Sequence, residues 1–102
     1  MCGIVGIVCF DGAPVESNDL KRMTDRMFHR GPDDEGFYID SSFGIGMRRL
    51  SIIDLKSGEQ PLTNESGTLQ VVMNGEIYNY LELRKILKSK GHQFNTGSDT
   101  EV

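Results

Sequence analysis

The stretch Ile4-Val5-Gly6-Ile7-Val8-Cys9-Phe10 constrains this chain most. It is nearly continuous in apolar, mostly β-branched residues, the pattern of a strand covered on both faces, and Asp11-Gly12 ends it as a turn. Two residues before it stands Cys2. Its side chain is small enough for ordinary removal of Met1, which would leave Cys2 as the N-terminus. One residue would then carry a thiol able to attack a carbonyl and an α-amine able to shuttle its proton, directly or through a water. The plain alternative is that Cys2 is a small buried hydrophobe opening a strand, as free cysteines often are.

The rest of the chain reads as alternating short elements. Ser17 or Asn18 can cap a helix with Asp19 in its first turn and Leu20, Met23, Met27 and Phe28 as its buried stripe. Arg30-Gly31-Pro32 stops it, with glycine suited to a left-handed position and proline unable to continue. Gly36–Ile39 and Phe43–Met47 read as strands joined at Asp40-Ser41-Ser42, and Leu69–Met73 as a strand entering the turn dipeptide Asn74-Gly75. Asn79 with Glu82 forms a capping box for a helix whose stripe is Leu83, Ile86 and Leu87, closed by Gly91. Phe94 belongs to a short extended piece. The order predicts an α+β fold with a mostly antiparallel sheet and helices on one face. Two helices cannot cover both sheet faces, so the chain reads as a piece of something larger.

At 102 residues one domain is expected, with ordinary globular composition (37% hydrophobic, 25% charged). The net charge of -4 leaves no basic footprint for nucleic acid. No apolar run reaches the roughly 20 residues of a membrane span, and no basic region precedes the first apolar stretch as in a signal peptide. Cys2 and Cys9, at opposite ends of one strand, would lie about 23 Å apart, far beyond disulfide reach. Two free thiols suit a reducing cytoplasm.

Five stretches carry the chemistry: Met1-Cys2-Gly3-Ile4-Val5-Gly6-Ile7, His29-Arg30-Gly31-Pro32-Asp33-Asp34-Glu35-Gly36, Arg48-Arg49-Leu50-Ser51-Ile52-Ile53-Asp54-Leu55, Asn74-Gly75-Glu76-Ile77-Tyr78-Asn79-Tyr80, and Thr96-Gly97-Ser98-Asp99-Thr100-Glu101-Val102. Taken singly each has a bland reading. Asn74-Gly75 is a hairpin turn, Arg49 a solvated strand end, Asp99 a turn or cap residue, and Arg30 a partner for helix-terminal carbonyls.

Together and in this order they resemble the class II glutamine amidotransferases, the N-terminal-nucleophile hydrolases, and most closely the glutaminase domain of asparagine synthetases. The resemblance implies an αββα fold of facing antiparallel sheets between helical layers, of which these residues are the N-terminal portion. It implies Cys2 as nucleophile toward the γ-amide of glutamine, and the Asn74 side chain and Gly75 N–H as oxyanion donors. Arg49 would hold the α-carboxylate, and Glu76 and Asp99 the α-ammonium. The backbone of Leu50, Ile52 and Ile53 would line the pocket, with His29, Arg30 and Asp33 as supports. Met47 departs from the histidine common in relatives; methionine fills that space but lacks the hydrogen bonds of an imidazole.

No metal or cofactor is expected in this stretch, ATP and magnesium belonging to a synthase domain or subunit outside it that amidates aspartate. Two readings remain open: a glutaminase part, with aspartate or another acceptor, or a catalytically incomplete module that oligomerises or joins a complementary fragment.

Overall fold

The computed structural model describes residues 2–50 and 59–102. Its elements run β1 (Gly3–Val8), α1 (Ser17–Asp25), β2 (Asp34–Asp40), β3 (Phe43–Arg49), β4 (Leu62–Thr63), β5 (Gln70–Val71) and α2 (Tyr80–Ser89), followed by a 3-10 turn, Asp99–Glu101. The chain is α+β: one antiparallel sheet in the order β1-β3-β2, a small antiparallel pair β4-β5, and two helices.

The β2–β3 hairpin forms where the alternation predicted it. Asp40 pairs with Phe43, leaving Ser41 and Ser42 as the turn, with Ser41 at a φ of 50°. β3 is central because its small residues admit neighbours closely. Gly44 lies against Val15 and Leu20, and Gly46 against Thr24, so α1 settles onto that face. Leu20 and Thr24 are buried beneath it, and the Thr24 hydroxyl donates to the Leu20 carbonyl at 2.7 Å. The predicted stripe is therefore rotated: Met23 and Phe28 are exposed and Thr24 points inward. The N-cap is Glu16, before both predicted candidates, Ser17 and Asn18, and without a side-chain cap bond. At the sheet's edge Lys21 pairs with Asp25 (2.5 Å) and Glu35 (3.0 Å), and Arg48 reaches Glu35 at 3.2 Å and stacks over Phe28.

Because antiparallel partners share a face, the register sorts the sheet. Gly3, Arg48 and Glu35 face α1, as do Val5, Gly46 and Phe37. Ile4, Met47 and Gly36 face the other way. Met47 is 1% exposed there, whereas Ile4 (47%) and Val8 (60%) are open. The continuous apolar run thus has one covered face and one largely uncovered face, a correction to the expectation of two.

Three further expectations change. Gly31 is buried and takes no left-handed cap; a Cβ there would run into the Arg48 and Arg49 backbone, so close approach is what needs glycine. β5 pairs backward with β4 rather than forward across Asn74-Gly75, so that dipeptide bends the chain without making a hairpin. The piece around Phe94 forms no strand. Gly91 closes α2 as expected, at a φ of 94°: its N–H reaches the Lys88 carbonyl and the His92 N–H the Leu87 carbonyl, both at 3.1 Å, the paired bonds of a Schellman end. Asn79 is the N-cap of α2, though its side chain makes no cap bond. None of the α2 residues is fully buried.

Candidate active site

Cys2 stands one residue before β1, and extending the register places it opposite Arg49, which pairs with Asp34. Alternation then aims Cys2 and Arg49 to the face opposite α1, in line with Ile4 and Met47. Leu50 locks the thiol in place. Its N–H donates to Cys2 Sγ at 3.4 Å, and the thiol lies 3.9 Å from its carbonyl oxygen. Both cysteines are free thiols.

The stretch after α1 wraps this corner. Arg30 Nε donates to the Cys2 carbonyl at 3.2 Å, so its partner is the backbone of Cys2 and not a helix end. Gly31 presses on the Arg48–Arg49 backbone, Pro32 bridges to Arg49, and the Asp33 N–H donates to the Arg49 carbonyl at 3.1 Å. Arg30, Gly31, Pro32 and Asp33 thus hold the frame of the corner.

A second cluster gathers the later motifs. Asn74, Gly75 and Glu76 form an exposed bend. Immediately after it, the Ile77 N–H donates to Asp99 Oδ2 at 2.7 Å. The cap of the 3-10 turn is Ser98, whose hydroxyl accepts the Thr100 N–H at 3.2 Å, which leaves the Asp99 carboxylate directed at the bend. Glu76 and Asp99 are thereby brought onto one loop junction. Ile52 and Ile53 lie outside the described residues. Among the described residues no hydrogen bond runs from Cys2 to Asn74, Gly75 or Glu76.

Two supporting residues carried no signal in the sequence. Gln60 Oε1 accepts the Met73 N–H at 2.6 Å and its Nε2 donates to Thr100 Oγ1 at 3.2 Å. Its carbonyl also meets Gly36 so closely that a Cβ there would overlap it. Arg84 donates to the Thr96 carbonyl at 2.6 Å and the Ser98 carbonyl at 2.9 Å, and stacks over Phe94. A glutamine in a loop and an arginine on a helix offer no pattern that forecasts such bonds.

Glu101 braces the same loop, accepting from the Asn95 N–H (2.7 Å) and the Thr96 N–H (2.8 Å). Burial pushes its carboxyl upward, but these bonds, with the Thr96 hydroxyl and nearby Arg84, outweigh it and hold the group below its ordinary value. Across all 102 residues the chain matches the glutamine amidotransferase domain. It belongs to that family. It is 49% identical over 107 residues to asparagine synthetase (glutamine-hydrolyzing) 1 of Bacillus subtilis (strain 168), covering all of this chain and 17% of that protein. It is 48% identical over 105 residues to the second such enzyme of that strain, covering 14% of it. With asparagine synthetase (glutamine-hydrolyzing) 1 of Arabidopsis thaliana the identity is 46% over 103 residues, 17% of that protein. The chain thus spans less than a fifth of the length of these relatives.

Within this amidotransferase domain the described residues bring no group of three or more His, Cys, Asp and Glu side chains into a metal-holding arrangement. A shallow depression lined by Asp19, Arg22, Met23, Asp25 and Arg26 lies on α1, across the sheet from the Cys2 thiol, and contains none of the motif residues assigned to chemistry. No helix among the described residues is long and apolar enough to cross a membrane.

Proposed function

We propose that this chain is the N-terminal portion of an N-terminal-nucleophile glutaminase domain of αββα type, in an asparagine synthetase-like enzyme. Glutamine is its substrate. Support comes from one observation above all: Cys2 and Arg49 occupy one row on one sheet face, with the Leu50 N–H on the sulfur.

In this reading the Cys2 α-amine takes the thiol proton as the sulfur attacks the γ-amide carbon, and the carbonyl electrons move to oxygen. The Asn74 amide and Gly75 N–H stabilise that oxyanion. Its collapse breaks the C–N bond, and ammonia leaves with a proton from the Cys2 α-ammonium. Water then attacks the thioester with the same amine as base, releasing glutamate and restoring the thiol. Arg49 grips the α-carboxylate through its planar guanidinium. Glu76 and Asp99 receive the α-ammonium, and Leu50, Ile52 and Ile53 line the pocket. The ammonia serves ATP-dependent amidation of aspartate in a synthase part beyond these residues, the acceptor inferred from the relatives' names.

The test is ammonia release from glutamine by the chain bearing a free Cys2 amine, with Cys2→Ala alongside. Turnover is expected, and its loss of at least a thousandfold in the variant with an unchanged far-UV spectrum. Equal turnover in both forms would remove Cys2 from the chemistry. A second reading, an incomplete module that associates with a partner or with itself, draws on the open apolar face at Ile4 and Val8. A processed, soluble chain without turnover favours it.

A further inference from the structure

Gln60 occupies a closed circuit. Its Oε1 takes the Met73 N–H at 2.6 Å. From Met73 the chain runs through Asn74, Gly75 and Glu76 to Ile77, whose N–H goes to Asp99 Oδ2 at 2.7 Å. The next residue, Thr100, returns the circuit by accepting from Gln60 Nε2 at 3.2 Å through its hydroxyl. The ring thus encloses the three residues of the exposed bend and includes Asp99. Thr100 is 9% exposed and Gln60 half-buried, so water competes weakly for the closing bonds.

The ring is also anchored to the sheet. The Gln60 carbonyl rests on Gly36, whose partner on β3 is Met47, on the face that bears Cys2 and Arg49. Two residues along β2, about 7 Å, Asp34 pairs with Arg49. One residue therefore sets both the shape of the bend and its height above the row holding the thiol.

We propose that Gln60 is a positioning residue for glutamine hydrolysis: it ties the Asn74–Glu76 bend to Asp99 and mounts both on the sheet face of Cys2. This rests on the glutaminase reading. The exposed bend has no helix or strand of its own to define it, and a donor misplaced by 1 Å forfeits much of its effect on an oxyanion.

The experiment compares the full chain with Gln60→Met, which keeps length and loses both bonds, and Gln60→Glu, whose carboxylate can accept from the Met73 N–H and the Thr100 hydroxyl. The readouts are kcat and KM for glutamine, amide hydrogen exchange at Met73 and Ile77, and alkylation of Cys2 by iodoacetamide. In Gln60→Met, kcat is expected to fall at least tenfold, KM to rise several-fold, and exchange at both amides to quicken. Cys2 alkylation should stay within twofold, and Gln60→Glu should recover most of kcat. Unchanged kcat and unchanged exchange in Gln60→Met overturn the proposal; so does a change of more than twofold in Cys2 alkylation in either direction, which would mean that the fold around the thiol is disturbed as a whole. A wild-type chain without Cys2-dependent turnover defeats the glutaminase reading and the catalytic half of this one, while exchange at Met73 and Ile77 still decides the tether.

Discussion

Single residues set the corner where the thiol sits. Gly31 is the tightest of them: any β-carbon there meets the backbone of Arg48 and Arg49, which cannot move without disturbing the end of β3. Gly31→Ala should therefore destabilise the chain by roughly 1 to 3 kcal/mol, the usual cost of overpacking. It should also displace the Leu50 N–H from Cys2. Urea unfolding checks the first effect and the rate of Cys2 alkylation the second; an unchanged midpoint and rate would mean the corner yields freely. Met47 shows a different economy. It is buried at 1% exposure between Ile4 and Gly36, so it serves there as packing, which needs volume and no hydrogen bond.

At the scale of elements, α2 is held by its ends and by polar bonds rather than by burial. Arg84 fastens it to the loop before Asp99. Beyond its C-terminus, Glu65 in the β4–β5 connection meets the His92 ring at 2.5 Å and accepts the Gln93 N–H at 2.9 Å. The His92 bond first, and the Gln93 bond second, hold the Glu65 carboxyl below its ordinary value of 4.5. A carboxyl depressed on folding contributes stability in full above its unfolded value, and loses it as pH falls through the lower folded one. The protection of the Gln93 amide, its exchange rate taken relative to the intrinsic rate at the same pH, should thus be constant above about pH 4.5 and fall below it. In Glu65→Gln that acid loss of protection should vanish; a loss of equal size in the variant would assign it to other carboxylates. Glu65 is solvent-exposed, so the effect belongs to this tether and is small for the whole chain.

For the whole molecule, the decisive feature is asymmetry between the two faces of the main sheet. α1 covers one. On the other, Ile4 is 47%, Val8 60% and Phe43 40% exposed, and Val8 and Phe43 are register partners. Open apolar sheet surface of this kind drives association. Sedimentation velocity should show self-association that grows with concentration, and Val8→Lys should return the chain toward monomer without changing its melting temperature by more than a few degrees. A wild type that stays monomeric at high concentration would show that the face is tolerable in water.

Much of this was legible before any coordinates. Strand runs, the Ser41-Ser42 turn, the Gly91 stop and the five ordered motifs are local: each follows from residue conformational preference or from short-range spacing. The order of motifs also sufficed to suggest the family to which the chain belongs. What spacing could not supply was direction and distance across the chain. Which stripe of α1 is buried depends on the small glycines of β3 beneath it, and so Thr24 turned inward where Met23 was expected. Whether Asn74-Gly75 makes a hairpin depends on the partner of β5, which is β4 behind it. Gln60, Arg84 and Glu101 act through hydrogen bonds to backbone groups, and backbone groups carry no letter in a sequence. The sequence determined which chemical groups this chain possesses and in what local shapes. The tertiary structure alone decided which of them share a face, because strand register and long-range hydrogen bonds arise only once distant segments meet.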